Sequence, residues 1–188
     1  MQRALQGVTY WIGHRRCLYR DYPLSEGALV AEVCNLIHSN LPDQYVLLCE
    51  VQYSTFAGRE VRRKFLRGRV RADLVVAEKA AEPENKPVPR FIIEVKRASA
   101  PKSQIDGDIC RLAEIRDILP NVRSFLFVIA EATRPRRFVN EDGQSILGKH
   151  RIGKQAAYYR VRRTLKAAHA YTKRDRAQYA SLIEVYAC

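Results

Sequence analysis

Three charged residues sit where burial is expensive: Asp73 in "RADLVVAE", and Glu94 and Lys96 in "RFIIEVKRAS". Both stretches are apolar runs, the second carrying Phe91, Ile92, Ile93 and Val95 around its charges. A carboxylate in such a setting costs free energy unless its charge is compensated. On a strand, alternate side chains share a face, so Ile92, Glu94 and Lys96 lie on one side and Phe91, Ile93 and Val95 on the other. Two carboxylates and a lysine gathered by strand pairing can be compensated by one divalent cation and by each other. E-x-K alone carries little weight, because twelve Glu and nine Lys in 188 residues give about half a match by chance. A second match, Glu84-Asn85-Lys86, falls in the proline-rich "AAEPENKPVP" and serves as an internal control. The plainer alternative for Glu94 and Lys96 is a same-face ion pair on an edge strand, with Asp73 capping a turn.

Holding these groups requires particular elements. "SEGALVAEVCNLIH" (25–38) predicts a helix with Ser25 as N-cap and Leu29, Val30, Val33, Leu36 and Ile37 on one face. Strands are expected over 45–54, 70–79, 90–98 and 124–132, with 80–89 as a proline-rich connection. Residues 103–119 predict a helix with Ile105, Ile109, Leu112, Arg116 and Leu119 along a stripe, weakened by Gly107 and stopped by Pro120. A strand–helix–strand step ending on a buried strand implies a crossover onto a mixed sheet with helices on both faces. Beyond this core, 136–147 reads as a hairpin turning at Asp142-Gly143. Residues 155–169 fit a strand by alternation and a helix by Ala157, Val161, Leu165 and Ala168, while 179–187 is an apolar strand. The expectation is one α/β domain over 1–188, with its core at about 25–132 and a basic, β-rich C-terminal extension over about 133–188.

The net charge of +13 is concentrated. Residues 59–71, "REVRRKFLRGRVR", hold seven Lys and Arg against one Glu, and 134–188 hold thirteen against four acids. The remainder is slightly acidic, as expected if two surfaces meet a polyanion. Arg62, Arg63, Lys64, Arg67 and Arg69 are the candidate phosphate-binding residues, and a solvated basic face is the alternative. No apolar run reaches the ~18 residues of a membrane span, and the N-terminus lacks the order of a signal peptide. Five dispersed cysteines without CxxC suit reduced thiols in a cytoplasmic protein rather than a disulfide framework or zinc site.

Asp73, Glu94 and Lys96, in this order and on these elements, resemble the PD-(D/E)XK nuclease superfamily. Its restriction-endonuclease-like core, a helix, a three-stranded meander, a helix and a strand, matches residues 25 to about 130. Ala72 stands where the motif has proline. The resemblance implies Asp73, Glu94 and Lys96 as catalytic residues, with Mg²⁺ held by Asp73, Glu94 and the Val95 carbonyl, and Mn²⁺ as a substitute. Many members add a glutamate from the first helix. Glu26 is the candidate because it shares the Leu29–Val33–Ile37 face, whereas Glu32 points roughly 100° away. Gln104 and Lys102 are accessory candidates, since a polar residue on the next helix also reaches the site in the family. The implied function is a Mg²⁺-dependent endonuclease that cuts double-stranded DNA through metal-activated water. The alternatives are a non-catalytic nucleic-acid-binding protein or subunit of a larger nucleoprotein machine, and an RNA-directed nuclease using tyrosines beside arginines, as in "YYRVRR". Cutting both strands favours a homodimer. The strand over 179–187 either supplies that interface or pairs within its own sheet.

Overall fold

Alternation along the strands sorts their side chains into two cores, one on each face of a single sheet. The computed structural model describes residues 1–18, 22–58, 65–80, 82, 85–152, 157–167 and 177–187. Helices α1 (Gln2–Leu18) and α2 (Glu26–His38) precede β1 (Tyr45–Gln52), a short helix α3 (Ser54–Ala57), β2 (Arg71–Glu78) and β3 (Val88–Arg97). Then come α4 (Lys102–Ile118), β4 (Arg123–Ala130), β5 (His150–Arg151), β6 (Ala157–Lys166) and β7 (Tyr179–Ala187). The seven strands are ordered β1-β2-β3-β4-β7-β6-β5, and only β3 and β4 pair in parallel, joined through α4. The fold is α/β, with a mixed sheet flanked by helices.

Ile92, Leu126 and Val128 pack with Ile105, Ile109 and Leu112 of α4. Their neighbours Ile93, Val95, Phe125 and Phe127 pack with Leu29, Val33 and Ile37 of α2 and Leu5, Val8 and Ile12 of α1. Each such buried aliphatic side chain contributes about 2 kcal/mol by removing apolar surface from water. Ser25 caps α2 as expected, its hydroxyl accepting from the Ala28 N–H at 3.1 Å. Arg116, on the apolar stripe of α4, reaches β7, where it donates to the Val185 carbonyl at 2.6 Å.

Several expectations change. Helix α1 was not anticipated, although Ala4, Leu5, Val8 and Ile12 all face the core. Gly7 lets it approach α2, since a Cβ there would meet Leu36 Cδ2 at 2.6 Å. The first strand ends at Gln52 rather than 54, because the chain turns into α3. β3 starts at Val88, taking Pro89 from the connection. Its missing N–H is tolerated because pairing with β4 begins only at Phe91, and the register shifts opposite it at Val76/Ala77. Residues 136–147 form one isolated bridge, Val139↔Ser145, around Gly143 (φ +79°), rather than a hairpin of two strands. Residues 157–166 are strand, since Ala157, Tyr159 and Val161 alternate inward and the segment pairs with β7. β7 itself lies between β4 and β6, buried from Tyr179 to Val185. It pairs within its own sheet and is not free to supply a dimer interface. The C-terminal strands continue the core's sheet beyond β4.

Candidate active site

The β2–β3 ladder runs from Glu78↔Val88 to Leu74↔Ile93 and ends there. Asp73 and Glu94 are the next residues, so their carboxylates sit where the two strands stop pairing. The Val95 N–H instead donates to Asp73 Oδ2 at 2.7 Å. A strand residue sends its N–H and C=O to the same side, so the Val95 carbonyl projects toward this same gap. On the other flank the β1–β2 register passes from Cys49↔Leu74 to Val51↔Ala72, leaving Glu50 and Asp73 out. Glu50 holds a left-handed φ of +53°, costly for a side chain of its kind and found where structure around it enforces it.

Glu94 is only 3% exposed, and its Oε1 accepts from the Tyr53 hydroxyl at 2.6 Å. Burial, then the charge of Asp73, push its carboxyl up to about 8. Asp73 is raised as well, by burial, with the Val95 N–H pulling the other way. Tyr53, fully buried beside Glu94, is pushed well above the usual phenol range and stays a neutral donor. Two adjacent carboxyls that each resist ionisation mark a site short of positive charge.

Lys96 does not supply that charge by pairing with Glu94. Its Nζ lies 2.6 Å from Glu26 Oε1 and 3.4 Å from Asp108 Oδ2. Asp108 is 1% exposed and also pairs with Arg111. β3 is an interior strand, so the picture of an edge-strand ion pair does not describe these residues. Glu26 joins the cluster from α2 as its face suggested. On α4, however, the residue that reaches Lys96 is Asp108, four beyond Gln104. Gln104 is exposed. Lys102 pairs with Asp106 at 2.6 Å and lines a separate pocket with Arg137 and Tyr159.

A cleft of about 470 Å³ opens beside Asp73, walled by Glu26, Asn35 and Cys34 of α2 and by Cys49 and Glu50 of β1. Cys34 Sγ and Cys49 Sγ are 3.4 Å apart, and burial together with Cys34 pushes the Cys49 thiol up to about 11. Tyr53, Glu50, Asp108 and this thiol pair carry no local motif; only strand pairing and helix packing bring them here. Arg67 and Arg69 are exposed, following the buried Leu66. Arg62, Arg63 and Lys64, like Glu84 of the control motif, lie outside the described residues.

Among the described residues no group of three or more His, Cys, Asp or Glu converges as a metal cluster. The acids converge as a pair. Their chemistry fits a hard divalent cation: two carboxylates, adjacent and under-compensated, with the Val95 carbonyl directed between the strands that carry them. Among the described residues no helix is long and apolar enough to cross a membrane. No family model, no curated protein and no solved structure matches the chain.

Proposed function

We propose that this chain is a Mg²⁺-dependent endonuclease of PD-(D/E)XK type, hydrolysing phosphodiester bonds in DNA. The observation that carries the reading is the pairing of Asp73 and Glu94 where β2 and β3 part, both carboxyls raised, with Lys96 next along the same face. Phosphate binding alone gains nothing from two buried acids with raised carboxyls, whereas cation binding does. Asp73, Glu94 and the Val95 carbonyl would hold the cation, which when bound lowers the pKa of a coordinated water and polarises the scissile phosphate. To hold a cation Glu94 would be ionised, with the Tyr53 hydroxyl, which donates to its Oε1, keeping that oxygen oriented. Lys96, which pairs with Glu26 and Asp108, would offset charge that develops on the phosphate. The basic segments supply phosphate contacts outside the site.

The test incubates the protein with plasmid, linear duplex DNA, single-stranded DNA and RNA, with Mg²⁺, Mn²⁺ or EDTA. Cleavage of duplex DNA with Mg²⁺, lost in EDTA and in Lys96→Ala, is the expected result. Turnover by Lys96→Ala at the wild-type rate overturns the assignment. Cleavage of RNA alone moves the substrate to RNA, and binding without cleavage of any substrate supports the non-catalytic alternative.

A further inference from the structure

The two sulfurs on the cleft wall come from different elements, Cys34 from α2 and Cys49 from β1, and both thiols are free. Cys110, in contrast, is buried in the α4 core, far from any solvent-borne reagent. We propose that Cys34 and Cys49 are a redox modification site, closed by a low-molecular-weight disulfide such as glutathione disulfide into a clasp between α2 and β1. Three observations carry this. The sulfurs stand 3.4 Å apart, so reaching the ~2.05 Å of a disulfide asks each to move by about 0.7 Å. Cys49 is exposed, Cys34 is half-buried, and both line the open cleft, so a small oxidant reaches them. Glu50, immediately after Cys49, drops out of the β1–β2 register, so no ladder pair at that position has to break for Cys49 to shift toward Cys34.

The step balances. One thiol loses its proton, attacks the oxidant's S–S bond and expels one small thiolate. The second thiol loses its proton, attacks the mixed disulfide and expels the other thiolate. One S–S bond breaks and one forms. The pair is oxidised by two electrons, the oxidant is reduced by two, and the two protons end on the released thiols. The ring closes over a separation of 15 residues. It ties α2, which carries Glu26, to β1, which carries Glu50, and so fixes the width of the cleft.

The test uses the full chain at mildly alkaline pH with prolonged incubation, because the Cys49 thiol, pushed up to about 11, supplies only a small thiolate fraction there and exchange is slow. After incubation with glutathione disulfide, intact-mass and peptide mapping should show the loss of two hydrogens and a Cys34–Cys49 link. The melting temperature should rise by about 6–12 °C, the value for a closed loop of this length in a chain of this size, and fall back with dithiothreitol. Cys34→Ser and Cys49→Ser should show neither change, while Cys110→Ser should show both. Persisting free thiols, a stable glutathione adduct in place of the link, a link to another cysteine, or a link without a thermal shift would each overturn the proposal. None of these readouts depends on nuclease activity.

Discussion

Removing the charge of Glu94 is expected to stabilise the protein in alkaline, metal-free solution. Burial and the neighbouring Asp73 raise this carboxyl from 4.5 to about 8. Between those values the folded state holds a proton that the unfolded chain has released, so stability falls as pH rises. The slope is about 1.4 kcal/mol per pH unit, which from pH about 5.5 to about 8.5 sums to about 3 kcal/mol, levelling once Glu94 ionises. Glu94→Gln keeps the oxygen that Tyr53 bonds and removes the ionisation. Relative to wild type, the variant should therefore gain about 3 kcal/mol across that interval, or about 6–12 °C in melting temperature. Urea denaturation followed by circular dichroism, in EDTA at both pH values, measures it. Taking the difference between the two proteins removes titrations that both share. Mg²⁺ should restore part of the wild-type loss and leave the variant unmoved, because a cation bound only to the folded state stabilises it by mass action. Parallel pH profiles for the two proteins would refute the claim that Glu94 is buried beside an uncompensated charge.

Tyr53→Phe should cost about 1–2 kcal/mol by leaving Glu94 without its donor, and should move the Glu94 titration, followed by NMR, to still higher pH. At Glu184 burial, which by itself raises a carboxyl, is outweighed by the Arg123 and Arg162 donors, which hold it at about 2. Glu184→Gln should cost about 3 kcal/mol at neutral pH, and wild type should lose the same contribution only as pH falls from the ordinary carboxyl range toward 2; acid denaturation of both proteins checks it. Replacing Arg62, Arg63 and Lys64 by alanine should flatten the salt dependence of duplex binding by up to about 2.7 in log K against log salt. An unchanged slope in fluorescence anisotropy titrations would make that segment a solvated face.

The meeting of Asp73 with Glu94 was legible because each acid interrupts one of two consecutive apolar runs, and consecutive strands usually pair; parity, which is local, put only Glu94 and Lys96 on one face. The sequence did not show that the Glu26 carboxylate meets Lys96, but that Glu26 of α2 lies near the cluster was legible from helical spacing. Asp108 was not, since on a helix stripe beside Ile105 and Ile109 it reads as an ordinary polar position until Lys96 arrives from β3. The N-terminal helix was missed because its four core contacts are spread through a basic, glycine-containing segment whose partner, α2, lies more than a turn of sequence away.

By itself the sequence determined the two-faced strands, the capped helix α2, the β3–α4–β4 crossover with its parallel pair, and which side of β3 carries its charges. The strand faces, the cap and the side of β3 follow from periodicity or capping within about a dozen residues, and the crossover follows from the strand–helix–strand order, which has few ways to pack. Only the tertiary structure decided that 157–166 is strand rather than helix, that β7 lies inside the sheet, that Lys96 pairs with Glu26 and Asp108 rather than with Glu94, and that Cys34 meets Cys49. Those outcomes depend on contacts between segments distant in the chain. Such contacts form where pairing and burial offset the entropy of closing long loops, and no local pattern records that balance.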